Sequence, residues 1–170
     1  MKVARTGLIA AAILAVATVA WAQRPDFSGT WTLDTEASGM PAGAGGGAPG
    51  GGGGGRMGGG RGGGAGLGQG GTVRQTADTL TVERMAGDNK LVLNYKLDGS
   101  ESRNTVMGRG GQIEAVSVAR WDGQTLVITT KQDMGGQTFE STQRWSLSGN
   151  ALTVETSNAR GTTKMVYRKG

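Results

Sequence analysis

The 170-residue sequence contains no cysteine and no histidine. Without cysteine, neither a disulfide scaffold nor thiol chemistry is available. Without histidine, the chain lacks the most common general base, so His-dependent catalytic triads and Cys/His zinc sites are excluded. We therefore predict a protein that is not an enzyme, holds no metal or cofactor, and is stabilised by ordinary side-chain burial.

The sequence also lacks any run of five or six like charges, although its formal net charge is +5. The charges alternate in sign, which is typical of a solvated surface and not of a nucleic-acid-binding face. A Gly-Arg stretch contains only Arg56 and Arg61 and no aromatic residue, so it does not favour RNA binding. No DxDxDG calcium loop occurs among the acidic residues. We predict no nucleic-acid partner.

Only one long apolar run is present, from Leu8 to Val19, and it follows the basic residues Lys2 and Arg5. Small residues at Ala20 and Ala22 close it, which indicates a signal peptide over residues 1–22, cleaved before Gln23. The alternative is an uncleaved anchor, but the run is shorter than the roughly 20 residues that cross a bilayer. We predict export to the periplasm or the extracellular medium, and no membrane span.

Residues 39–71 hold 21 of the 34 glycines and form a low-complexity insertion. Such a segment predicts a disordered loop with an r.m.s. span of about 30 Å. Because closure entropy grows slowly with loop length, a domain tolerates the insertion at little cost. Two interpretations follow: a tolerated insertion without function, or a mobile gate.

The rest of residues 23–170 reads as a single all-β domain. One strand is predicted over Phe27 to Asp34, and nine strand-like runs follow from Thr72 onward at spacings of about 8–12 residues. Leu91, Leu93, Tyr95 and Leu97 alternate with other residues, as expected of a sheet with one buried face. The pattern predicts an antiparallel up-and-down β-barrel of 8–10 strands, which is wide enough for one small ligand. A β-sandwich with a closed core is the alternative.

The stretch FSGTWTLD, with Gly29 and Trp31, resembles the first strand of the calycin proteins, which include the lipocalins and fatty-acid-binding proteins. The ending MVYRKG resembles the last strand of fatty-acid-binding proteins, which closes the barrel beside the first. The sequence is also similar to small exported bacterial lipocalin-like proteins, over residues 27–34 and 72–169. The resemblance implies structural roles for Gly29 and for Trp31, with Arg168 covering the Trp31 ring through a cation–π contact. It also places the glycine-rich insertion where fatty-acid-binding proteins carry their lid.

Fatty-acid-binding proteins often hold a carboxylate with an Arg-x-Tyr pair on the last strand and a second arginine on an earlier strand. Here Tyr167 is present, Met165 replaces the arginine, and Arg144 has the offset of the earlier arginine. Trp145 has the opposite parity to Arg144, and both cannot face inward without a bulge. The resemblance therefore does not imply an intact carboxylate clamp. Our candidates for the ligand-lining residues are Leu93, Tyr95, Ile128, Arg144, Trp145, Met165 and Tyr167.

The leading hypothesis is an exported lipocalin-like protein that binds a small apolar or amphipathic ligand in the barrel lumen without catalysis. The alternative is a structural or interaction module of the cell envelope, with a filled barrel and a flexible glycine-rich loop. An enzyme within a calycin barrel is a third interpretation, which the missing histidine and cysteine disfavour. The sequence does not indicate the ligand or the oligomeric state.

Overall fold

A computed structural model describes residues 24–38, 66–108 and 111–170. The predicted signal peptide and residues 39–65 of the predicted insertion lie outside the described residues. No helix within those ranges is long and apolar enough to cross a membrane. The described chain forms ten strands: β1 Gly29–Asp34, β2 Gly70–Gln75, β3 Thr79–Ala86, β4 Asn89–Lys96, β5 Glu101–Gly108, β6 Gly111–Asp122, β7 Thr125–Met134, β8 Gln137–Ser148, β9 Ala151–Asn158 and β10 Gly161–Lys169.

The strands form one antiparallel sheet in the order β4-β3-β2-β1-β10-β9-β8-β7-β6-β5. Consecutive strands pair within two series, β2 to β4 and β5 to β10, and β1 joins the two series by pairing with β2 and β10. The sheet curls into a nearly closed up-and-down barrel whose two edges, β4 and β5, face each other. The predicted barrel and its strand number are confirmed, and the β-sandwich alternative is not the fold.

Tight turns join the strands because the sequence supplies residues suited to them. Gly87 and Gly123 adopt φ values of +65° and +61°, in the left-handed region that side-chain-bearing residues avoid. Such turns match the twist of antiparallel strands, so short loops produce a meander. The up-and-down course defines two ends of the barrel. Residues 24–28 lie at the end we call the closed end, and residues 35–38 and 66–69 lie at the opposite, insertion end.

Alternate side chains point inward and form one core. At the closed end the Phe27 ring stacks on the Trp121 ring with 5.8 Å between the ring centroids, and it packs edge-on against the Trp145 ring with 5.9 Å between the centroids. The Trp31 indole N–H donates a 2.8 Å hydrogen bond to the Phe27 carbonyl. Aromatic rings thus bury much of the apolar area while the Trp31 N–H keeps a partner.

The predicted lid over Trp31 exists, but Lys169 supplies it and not Arg168. The Lys169 ammonium lies 5.7 Å from the Trp31 ring centroid. A Cβ built on Gly29 would lie 2.6 Å from Lys169 Cε, so the missing side chain at Gly29 leaves room for the lysine stem. The Arg168 prediction is wrong because Tyr167 points inward, which turns Arg168 outward, where its Nε bonds Asp34 Oδ2 at 2.8 Å.

Candidate functional site

Most of the predicted lining residues lie inside the barrel. Five of them are at most 1% exposed, and Met165 is partly buried against the core; the five are Leu93, Tyr95, Ile128, Trp145 and Tyr167. Arg144 is the exception, because it points outward and forms a 2.8 Å ion pair with Asp122. Strand β8 pairs with β7 in regular register, which places Gln143 and Trp145 inside. Without a bulge, Arg144 cannot share that face.

The buried cation of the barrel is Arg84, which sequence reasoning missed. Strand β3 turns Leu80, Val82 and Arg84 inward, and Arg84 is only 9% exposed. Burial lowers the pKa of Arg84, and the neighbouring Tyr95 and Tyr167 oppose that shift. A guanidinium nevertheless keeps its charge at neutral pH. Among the residues that the structure describes, Arg84 therefore places a positive charge on a mostly apolar inner wall.

The two tyrosines near Arg84 are hydrogen-bond donors at neutral pH. Burial raises the pKa of Tyr167 to about 12 and raises that of Tyr95 further above its ordinary range. Arg84 lowers both, but burial is the larger effect. Within the described chain the buried Tyr95 hydroxyl makes no hydrogen bond, so it is available to an acceptor.

Further polar side chains continue this layer on the neighbouring strands. The hydroxyls of Ser117 and Thr130 lie 2.8 Å apart. The Gln143 side-chain oxygen accepts a 3.0 Å hydrogen bond from the Trp145 indole. All three polar residues are at most 4% exposed. These hydrogen bonds satisfy part of the polar capacity of the three side chains, as burial requires.

Residues 66–69, which we call the Leu67 turn, enter the barrel from the insertion end and lie against this polar layer. Leu67 belongs to the core and is 1% exposed. The Gly68 carbonyl accepts a 3.0 Å hydrogen bond from the Tyr167 hydroxyl. The Leu67 carbonyl accepts one from Gly70 N at 2.9 Å, and the Gln69 carbonyl accepts one from Leu33 N at 3.1 Å. This end of the predicted disordered insertion is therefore ordered.

Glycine is needed here because the backbone runs close to the barrel wall. A Cβ on Gly66 would lie 2.9 Å from Gln143 Nε2, and one on Gly68 would lie 3.1 Å from Arg84 Nη1. Gly70 begins β2 with a φ of +136°. The glycine run thus allows the Leu67 turn to rest on the polar layer itself.

A cleft opens between the facing edges of β4 and β5. Three hydrogen bonds described between these edges involve side chains: Asn94 N to Asn104 Oδ1 at 2.8 Å, Asn104 Nδ2 to Asn94 O at 3.0 Å, and Lys96 N to Ser102 Oγ at 2.8 Å. Towards the insertion end the strands enclose a cleft of about 540 Å³. Leu91 and Val106 line it from the inner face of the sheet. Arg84 lies opposite Leu91 in the β3–β4 register, one strand away from the cleft.

A second, smaller hollow of about 290 Å³ lies at the closed end. Arg24, whose guanidinium lies 5.4 Å from the Trp121 ring centroid, and Asp98 contribute charges of both signs to it. In the described part of the chain no group of three or more acidic residues is arranged to hold a metal ion. The arrangement of the interior suits binding of an anion next to an apolar group.

Comparison with known proteins identifies the fold and not a family. No family model matches the sequence, and no curated protein is similar to it at a significant level. A secretory abundant heat soluble (SAHS) protein from Ramazzottius varieornatus has a similar structure, with a TM-score of 0.53 and 16% sequence identity over 88% of this chain and 98% of that one. SAHS protein 4 from the same organism matches 58% of this chain and 67% of its own, with 18% identity and a TM-score of 0.43. At such identities the similarity supports the barrel fold alone.

Proposed function

We propose that the protein binds a small amphipathic ligand with an anionic head group inside its barrel and catalyses no reaction. The observation that carries the proposal is Arg84, a buried cation that lies against Gly68. The Gly68 carbonyl in turn accepts the Tyr167 hydroxyl, so a charged and a neutral donor converge there. Hydrogen bonds between a guanidinium and an oxygen anion are about twice as strong as neutral ones. A carboxylate or sulfonate that accepts a hydrogen bond from this guanidinium is therefore stabilised at a site shielded from bulk water.

The cleft between β4 and β5 receives the apolar part of the ligand. Its volume of about 540 Å³ lies within the range typical of small-molecule sites. Leu91 and Val106 offer apolar contact, and each methylene buried there contributes about 0.8 kcal/mol. Because Leu91 is the cross-strand neighbour of Arg84, one molecule spans both the apolar and the charged region.

The experiment compares three ligands that share one tail: dodecanoate, dodecanol and dodecylamine. Each displaces anilinonaphthalene sulfonate, an anionic fluorescent probe, from the purified protein. Dodecanoate binds most tightly, and Arg84→Met weakens it about tenfold or more, the effect of one charged hydrogen bond. Arg144→Met is the matched control, because Arg144 lies outside the barrel. Absence of saturable binding, or equal losses in both variants, contradicts the proposal.

The proposal includes export and a lipocalin-like character. The apolar run and the Ala20–Ala22 stretch support cleavage before Gln23, and the barrel supports a lipocalin-like assignment. Mass spectrometry of protein recovered from the periplasm and from the medium tests the export. A mature chain that begins at Gln23 in either fraction supports export, and an uncleaved chain in the cytoplasm contradicts it.

A second candidate is a structural or interaction module with a filled barrel. The observation that favours it is the filling of the interior by Leu67 and the large aromatic side chains. Under this candidate the probe does not bind, and capture of an envelope partner depends on residues 39–71. A deletion of residues 39–65 that leaves such capture unchanged counts against it.

A further inference from the structure

We propose that the Leu67 turn, residues 66–69, is an internal plug that competes with the ligand for the barrel interior. This inference rests on the proposed function, because it assigns a regulatory role to the same site. The ligand binds when the plug withdraws, and the plug returns when the ligand leaves.

The plug and the ligand head group use the same side chains. Gly68 lies against the Arg84 guanidinium, and its carbonyl accepts the Tyr167 hydroxyl at 3.0 Å. Gly66 lies against the Gln143 amide. A carboxylate bound to Arg84 and Tyr167 would occupy the position of the Gly68 carbonyl, whose oxygen already accepts the hydrogen bond from Tyr167. The two occupants therefore exclude each other.

One apolar side chain and the backbone carbonyls of residues 67–69 anchor the plug to the described part of the barrel. Leu67 is its only large apolar side chain, and three hydrogen bonds to the carbonyls of residues 67–69 fix its backbone. Gly68 has a φ of +58° and Gly70 a φ of +136°, so the segment can adopt backbone conformations that residues with side chains avoid. Beyond this point β2 is fixed in the sheet, since a Cβ on Gly71 would clash with the backbone carbonyl of Glu83. Withdrawal therefore bends the chain at residues 68–70.

Competition of this kind has a quantitative consequence. The apparent dissociation constant equals the intrinsic constant divided by the fraction of molecules whose plug is withdrawn. Leu67→Ala removes most of the apolar burial that retains the plug, so it raises that fraction. We expect anilinonaphthalene sulfonate to bind about tenfold more tightly to this variant. A substitution that weakens the core elsewhere does not have this effect.

The control is Leu152→Ala, because Leu152 is equally buried but lies on β9 near the closed end. Both variants lose stability, and near-ultraviolet circular dichroism establishes that each is folded during the titration. Tighter binding by Leu67→Ala alone supports the plug. If wild type binds the probe and both variants bind it equally or more weakly, the plug is refuted while the proposed function stands. If neither wild type nor Leu67→Ala binds the probe, both proposals fail.

A disulfide supplies a second test that does not depend on truncating the core. Leu33 N donates to Gln69 O at 3.1 Å, one step beyond the Thr32–Gly70 pair. Cα atoms of hydrogen-bonded antiparallel pairs are about 5.5 Å apart, which a disulfide can span. The chain has no native cysteine, so a Leu33→Cys/Gln69→Cys variant forms a single bridge. The oxidised form should lose probe binding, and the reduced form should regain it. Equal binding by both forms overturns the plug.

Discussion

The side chain of Asn104 holds the two edges of the barrel together, and its removal should destabilise the protein measurably. Asn104→Ala deletes the two hydrogen bonds, of 2.8 and 3.0 Å, that reach the Asn94 backbone. Each contributes about 1 kcal/mol net, and a buried group left unpaired adds to the loss. Asn104 is only 7% exposed, so water replaces these bonds poorly. We expect the free energy of unfolding to fall by about 2–3 kcal/mol.

Urea unfolding at neutral pH measures this loss. Thr105→Ala is the control, since Thr105 is the next residue on β5 but points outward. Ser102→Ala removes the single bond to Lys96 N and should cost about 1 kcal/mol. Asn104→Asp keeps an acceptor for Asn94 N–H but opposes a carboxylate oxygen to the Asn94 carbonyl, so it should lose stability as well. An Asn104→Ala loss no larger than that of Thr105→Ala would refute this account of how the edges are joined.

Three other perturbations test separate parts of the structure. Gly71→Ala places a methyl group against the Glu83 carbonyl of β3 and should lower the free energy of unfolding by about 1–3 kcal/mol in urea melts. Gly87→Ala meets open space but has a φ of +65°, so it should lower that free energy by only about 1 kcal/mol. The hydrogen bond that the Ala37 amide donates lowers the pKa of the Asp34 carboxyl, and Arg168 lowers it further. Thermal stability should therefore hold above pH 5 and fall as the pH drops below about 4. Asp34→Asn should make this fall smaller. Lys169→Met should cost about 0.5–1 kcal/mol by loss of the cation–π contact and change the tryptophan fluorescence.

The fold was predictable because two local signals agree along most of the chain. Alternation such as Leu91, Leu93 and Tyr95 marks an inner face, and glycine turns mark the strand ends. The side of β8 that faces inward was not predictable, because Arg144 and Trp145 lie on opposite sides of the strand. Arg144 favours a carboxylate-binding interior, and Trp145 favours an apolar one. Only pairing with β7 places Trp145 inside, and that pairing is a tertiary property.

The candidate site was less accessible from the sequence. Alternation with Leu80 and Val82 places Arg84 on the inner face, but the cost of burying a charge favours the opposite interpretation. Leu67 is a single apolar residue in a glycine run, and nothing local distinguishes a plug from a loop tip. The cleft lies between β4 and β5, two edges whose described hydrogen bonds to each other are made by side chains. Contacts between distant segments decide each of these features.

The pairing of β1 with β10 joins the two halves of the sheet and brings together residues from opposite ends of the described chain. Trp31 pairs with Lys169, and Gly170 N donates to Thr30 O at 2.9 Å. This pairing requires the closure of a loop that spans most of the described chain, and the entropy of that closure slows folding. A circular permutant that joins Gly170 to residue 24 and opens the turn at residues 97–100 turns the longest-range pairing into a local hairpin. The cut falls between β4 and β5, which are joined by the side-chain hydrogen bonds described above and not by a backbone ladder. Such a chain should therefore keep the same barrel and fold faster.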